Sequence, residues 1–188
     1  MDKFKGHLFF IAFIVLFCFV GPYIYGIDAN AFDKDRILEA PNLYALFGTD
    51  RLGRDMLARV MIGGQNSLLI GFTASLASVA ISLAVGVSAA FYRGAVDKGV
   101  VVLIDLFLTV PTFFLLLALV AYVDISPFLL IFIIAISSWM GTARLLRSEV
   151  YAINDKPFIK ILKIAKVSDA KIILKYYAPL LSPILLTS

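Results

Sequence analysis

The chain has 188 residues, of which 61% are hydrophobic and 16% charged, and its mean hydropathy is +0.95. With 17 basic and 13 acidic residues it cannot coat a water-soluble fold of this size with polar side chains, so a soluble enzyme is excluded and a membrane protein is expected. The net charge of +4 lies in short segments between apolar runs, where membrane topology accounts for it and no nucleic-acid partner is needed.

A helix needs about 20 apolar residues to cross the hydrocarbon core, because backbone groups in lipid must be bonded internally. Four runs qualify and a fifth begins. The first extends from about Leu8 to Ile27. Lys3 and Lys5 before it and Ala29-Asn30-Ala31 after it imitate a signal peptide. The run is longer than the roughly 7–15 residues of a signal core, and the later spans favour a retained anchor. Cys18, the single cysteine, lies inside it, so no intramolecular disulfide can form; bulky Phe17 before it argues against a lipoprotein site.

Residues 28–66 form a polar segment that contains Phe47-Gly48-Thr49-Asp50-Arg51-Leu52-Gly53-Arg54-Asp55. No Lys-Ser or Lys-Thr follows these glycines, so the segment is not a nucleotide-binding P-loop. The second run, from about Leu68 to Phe91, carries Ala74, Ser78, Ser82, Gly86 and Ala90 at intervals of four, a stripe of small residues that lets another backbone approach closely.

The third run, from about Val100 to Val123, contains Asp105 and Pro111. An unpaired charge there costs several kcal/mol, so Asp105 needs water or a partner, either at the inner interface or lining a pathway. Pro111 removes a helix hydrogen bond and can bend the helix as a hinge. The fourth run, from about Ile125 or Pro127 to Met140, is the shortest.

Residues 142–177 read as amphipathic: Phe158, Ile161, Leu162 and Ala165 recur at helical spacing among Lys160, Lys163 and Lys166, and Ser168 with Asp169 can cap a turn carrying Ile172 and Ile173. Adhesion to a membrane surface and docking to a partner protein both fit such a segment. The fifth run opens near Ala178 and stops at Ser188, too soon for a span, so the sequence reads as truncated.

Counting basic residues by segment orients the chain. With the N-terminus inside, twelve of the 17 lie inside: Lys3, Lys5, Arg93, Lys98 and the eight from Arg144 to Lys175. Lys34, Arg36, Arg51, Arg54 and Arg59 lie outside. The expected fold is therefore an all-α polytopic transmembrane bundle with four full spans and the start of a fifth. Its segments are residues 1–27, the inner terminus and first span; 28–66, an outer loop; 67–141, three spans; 142–177, an inner loop; and 178–188, the incomplete fifth span. An intramembrane enzyme is disfavoured, since the one histidine, His7, stands at the edge of a run, and no metal-ligating set is expected.

Several segments taken together resemble the inner-membrane permease subunits of binding-protein-dependent ABC importers, in the dipeptide, oligopeptide and nickel group. They are Phe47-Gly48-Thr49-Asp50 with Leu52-Gly53-Arg54-Asp55, then Arg59 and Ser67-Leu68-Leu69. Asp105 with Pro111 follows, then Trp139, Gly141, Ala143-Arg144 and Arg147. Ser168-Asp169, Lys171-Ile172-Ile173, Lys175 and Pro179 complete the set. Such permeases mark their cytosolic coupling helix with Glu-Ala-Ala and a Gly six residues beyond the Glu. Here Lys160 stands at the Glu position, Ile161 and Leu162 at the alanines, and Lys166 at the Gly.

The resemblance implies a transporter subunit of the bacterial inner membrane, N-terminus cytoplasmic, for peptides or nickel, with no cofactor of its own because partner subunits use the ATP. It also implies a second homologous permease, cytosolic ATP-binding subunits, a periplasmic substrate-binding protein and membrane lipid as partners, and no nucleic acid. Phe158, Lys160, Ile161, Leu162, Ala165, Lys166, Ser168 and Asp169 are the expected coupling interface. A diverged or truncated membrane protein that does not transport is the alternative.

Overall fold

Apolar side chains surrounded by lipid or by a partner have no reason to turn inward. In the computed structural model of this chain Phe9, Phe72 and Phe128, on three different helices, are 74%, 71% and 77% exposed. Apolar exposure on this scale marks a surface that water does not cover. The structure describes residues 2–109, 111–124 and 126–187. Met1, Val110 of the third run, Ile125 as one start of the fourth, and Ser188 at the end of the fifth lie outside them.

Among the described residues the architecture is helical, with extended pairing limited to an isolated bridge between Thr49 and Asp55. The chain divides into two units, Met1–Gly71 and Phe72–Ser188.

The first unit holds α1 (Asp2–Phe19), α2 (Gly21–Tyr25), a 3-10 turn (Lys34–Arg36) and the start of α3 (Met56–Ser82). α3 begins within the segment read as polar loop because Asp55 caps it: its Oδ1 accepts from the Ala58 N–H at 2.9 Å. The other carboxylate oxygen accepts from the Tyr25 hydroxyl at 2.9 Å, tying the end of α2 to the start of α3.

The preceding loop is organised around Asp50. This carboxylate accepts from the N–H groups of Leu52 and Arg54, and from Arg54 Nε at 2.8 Å, while Arg59 stands 3.2 Å away. Loss of water pushes its pKa up, but these donors more than offset that and hold it at about 2. Since an unfolded Asp titrates near about 3.9, Asp50 stabilises the loop above that pH and the contribution is lost as pH falls through the folded value.

Gly53 closes the turn at φ +73°, and a Cβ there would strike the backbone of Asp33. Gly53→Ala is therefore expected to cost the loop upwards of about 1 kcal/mol, read as faster proteolysis of residues 28–55. Gly63→Ala, in a helix with open space around the new carbon, is the control expected to leave cleavage unchanged.

In the second unit α3 continues through a π-helical turn (Leu83–Val87) into α4 (Ser88–Tyr92). α5 (Gly94–Thr109), α6 (Thr112–Tyr122) and α7 (Pro127–Asn154) follow, then the short α8 (Pro157–Ile164) and α9 (Asp169–Ile172). A second π-helical turn (Ile173–Tyr177) leads into α10 (Ala178–Thr187).

Among the described residues two helices are long and apolar enough to cross a membrane in one piece, Met56–Tyr92 with 37 residues and Pro127–Asn154 with 28. The first run gives a shorter apolar helix, Lys5–Phe19. The third does not form the single helix expected of it. Pro111 lacks an N–H and takes an extended ψ of 120° as the N-cap of α6, so it separates α5 from α6 and does not kink a continuous helix. The fourth run lies within a longer helix: α7 continues past Met140 to Asn154, because Ala143, Leu146, Val150 and Ile153 prolong its buried face at helical spacing.

α7 is the axis of this unit. Its middle section packs Trp139, Met140 and Ala143 with Ile104 of α5. Its inner section packs Leu146, Val150 and Ile153 with Phe91, Ile159 and Tyr177. The stripe Ala74, Ser78, Ser82, Gly86 and Ala90 is buried throughout. Ser82 Oγ donates to the carbonyls of Ser78 and Trp139, each at 2.8 Å. Gly86 approaches so closely that a Cβ there would lie 2.7 Å from the Ala143 carbonyl oxygen. The wide turn thus sits where the α3–α4 backbone touches that of α7.

Candidate functional site: the inner helix and its polar anchor

α8 is too short to hold its own shape in water, so its conformation depends on what it packs against. Pro157 starts it and a hydrogen-bonded cap ends it. The Val167 N–H reaches back to the Leu162 carbonyl and the Lys166 N–H to that of Lys163, both at 3.1 Å, the pairing of a Schellman cap. Such a cap needs one left-handed residue, and here it is Lys166, at φ 52°. The residue at which the resembled permeases carry Gly therefore occupies a conformation that disfavours a side chain. Lys166→Gly is expected to stabilise the α8–α9 segment by about 1 kcal/mol, seen as slower hydrogen exchange there and an unchanged fold elsewhere.

The helix has two apolar faces. Ile159 is fully buried in the inner core and Leu162 packs partly against it. Phe158, Ile161 and Ile164 point away from the bundle, 40%, 64% and 81% exposed. Of the expected interface residues, Phe158, Lys160, Ile161, Ala165, Lys166, Ser168 and Asp169 are exposed, whereas Leu162 turns toward the bundle. Ser168 stands at the N-cap of α9 without a side-chain cap, and its carbonyl instead accepts from the Ile172 N–H at 3.0 Å. Ile159 and Ile164 escape the sequence reading because one apolar stripe is read where the helix carries two, and only the neighbouring helices separate them.

Behind α8 lies a polar anchor. Asn154, the last residue of α7, is buried; its Nδ2 donates to the Ala90 carbonyl at 2.9 Å and its Oδ1 accepts from the Tyr177 hydroxyl at 2.6 Å and Lys163 Nζ at 3.1 Å. Burial pushes the Tyr177 hydroxyl up to about 12, so it remains a donor at any physiological pH. Lys163 Nζ also stands 4.6 Å from the centre of the Phe91 ring.

Beside it, Arg147 grips Asp97 of α5 with two nitrogens at 2.5 and 2.8 Å, and the Tyr151 hydroxyl donates to the same carboxylate at 2.6 Å. Arg147 holds the Asp97 carboxyl below its usual range, against the opposing effect of burial and with help from Tyr151. Arg93 completes the rim, over the Tyr151 ring and 3.2 Å from Asp155.

Asp105 has the partner that an apolar run demands: Arg144 contacts it at 2.5 Å. The pair lines a cleft of about 250 Å³ with Val101, Ile104 and Arg147. Pro111 joins none of these groups. Among the described residues no set of His, Cys, Asp and Glu is arranged to hold a metal ion.

Residues 82–188 match the family of binding-protein-dependent transport system inner membrane components, a stretch that holds α4, α7, the anchor and α8. The chain belongs to this family. As such an inner-membrane component it is a membrane protein, which gives its exposed apolar helices their surroundings. It is 30% identical to the oligopeptide transport system permease protein OppC of Haemophilus influenzae over 92% of its own length and 56% of that protein. It is 31% identical to a protein named as a peptide transport system permease of Brucella suis biovar 1, over 98% of this chain and 62% of that one. The family chain thus spans about three fifths of the length of these curated relatives.

Proposed function

We propose that this chain is a pathway-forming subunit of an ATP-driven importer, and that α8 is the element on which an ATP-hydrolysing partner acts. The observation that carries this reading is the outward face of Phe158, Ile161 and Ile164 on a helix whose opposite side is fastened into the core through Ile159. Such a helix can receive a push on its outer face and pass it inward, because its opposite side is seated in the core. Lys160 and Lys166 are exposed beside that face, and Lys156, Lys171 and Lys175 add positive charge to the same segment, so the partner groove carries an acidic rim. Peptides are the proposed substrate class, since the relatives are named for them; nickel has no such support among these names.

In this reading the N-terminus and α8 face the cytoplasm, as the excess of basic residues there favours. The four apolar runs cross the bilayer, the third as the broken pair α5 and α6, beside a second homologous permease. Residues 28–55 lie outside, next to a substrate-binding protein. Transport is then a shift between two packings of the bundle, biased by differential binding of the partners.

Cysteine crosslinking tests the docking. In a Cys18→Ser background, Ile161→Cys should crosslink to a cysteine in the ATPase groove of the assembled complex, and Lys160→Glu should reduce both crosslinking and uptake by placing acid against acid. An assembled complex that gives no crosslink from Ile161 or Ile164 overturns the docking role and leaves the basic face as a surface anchor.

A further inference from the structure

We infer that Asn154 is a positioning residue that joins α8 to the inner ends of the pathway helices, so that α8, α4 and the turn into α10 move as one. The inference rests on the docking role proposed for α8 and names the internal joint that role requires. Its basis is the branching of one buried side chain. Each of the three bonds of Asn154 goes to a different element: Lys163 lies on α8, Ala90 on α4, and Tyr177 on the π-helical turn before α10. Asn154 itself ends α7.

None of these bonds is a spare surface contact. Ala90 lies in the last turn of α4, where carbonyls lose their helical partners because Arg93 leaves the helix at φ 57°. The amide of Asn154 supplies a donor there. The Tyr177 side chain is fully buried, so its hydroxyl cannot fall back on water. Lys163 has its ammonium fixed between the Asn154 oxygen and the Phe91 ring, which makes it the polar tie between α8 and the two helices behind it.

The apolar contacts around this point hold the elements together without specifying their mutual register, since methyl groups tolerate sliding. Three directed hydrogen bonds at one atom group do specify it. Displacement of α8 by a partner therefore carries Lys163, and through Asn154 reaches both α4, which continues the buried small-residue helix, and the start of α10. Asn154→Leu keeps the branched shape and the number of side-chain heavy atoms and removes all three bonds. Asn154→Asp keeps the acceptor for Lys163 and Tyr177 but replaces the donor to Ala90 with a buried carboxylate oxygen that faces the same carbonyl. Tyr177→Phe and Lys163→Met each cut one bond and keep their bulk.

The test uses the full complex with its permease and ATPase partners, and reads substrate taken up per ATP hydrolysed alongside assembly. The expected result for Asn154→Leu is a complex that assembles and hydrolyses ATP but whose uptake per ATP falls about tenfold. If Asn154→Leu does not assemble, Tyr177→Phe and Lys163→Met carry the decision, each expected to lower the ratio about threefold. Unchanged coupling in these variants, or an equal fall in uptake and ATP hydrolysis that tracks assembly, overturns the joint and leaves Asn154 a stabilising residue. Failure of the parent complex to bind the ATPase through α8 is a different result, visible before any variant is made, and it overturns the docking role.

Discussion

Gly86→Leu is expected to abolish the packing of the second unit, with loss of folded protein from detergent extracts. The glycine stands where two backbones meet: a Cβ would lie 2.7 Å from the Ala143 oxygen and 3.0 Å from the Ala143 Cα, and neither is the end of a side chain that could swing aside. Overpacking typically costs about 1–3 kcal/mol. Here the loss exceeds that range, because separating the helices also breaks the Ser82 bond to the Trp139 carbonyl. Gly71→Leu is the control, since a carbon added there meets open space. Thermal unfolding in detergent decides the matter: equal melting of the two variants would show that the α3–α4 contact with α7 is not required.

Arg147→Met is expected to destabilise the inner end of the bundle by about 3 kcal/mol, because it leaves Asp97, 6% exposed, as a buried carboxylate bonded by the Tyr151 hydroxyl, with Arg93 the remaining cation nearby. Asp97→Asn combined with Arg147→Met should recover part of the loss, as no uncompensated charge is then buried. The pH dependence has a fixed sign. Since folding lowers the Asp97 pKa, the pair stabilises above the unfolded carboxylate value and that stabilisation fades as pH falls through the lower folded value. The Arg147→Met variant should show a smaller acid-side loss, since Arg147 is the largest cause of the lowered value. An equal acid sensitivity in parent and variant, followed by thermal unfolding, would mean that Asp97 does not depend on Arg147.

The helical class, the apolar runs and the small-residue stripe were legible in the sequence because each is a repeating pattern that local chemistry imposes. A stripe at intervals of four falls on one helix face whatever surrounds it, and Ala74, Ser78, Ser82, Gly86 and Ala90 are all buried in the structure. The same logic located the amphipathic segment around Phe158, and it gave Asp105 a need for a partner without saying which. Boundaries were harder to read. Asp55 extends α3 backward and the buried face of α7 extends it past Met140. The first signal is a single carboxylate, and the second is an apolar face interrupted by Arg144, Arg147 and Glu149, so neither reads as part of a run.

What composition and periodicity determined by themselves is that this chain is built of apolar helices with a basic, amphipathic segment around Phe158, since those properties depend on residue type and spacing alone. Which residues meet is decided by the tertiary structure. Asn154 draws its partners from positions 90, 163 and 177, and Arg147 takes Asp97 across 50 residues of chain. The division of α8 into Ile159 and Leu162 inside and Phe158, Ile161 and Ile164 outside has the same origin. An amide, a guanidinium or an isoleucine carries no local mark of its partner, so only the packing of the helices against one another selects it.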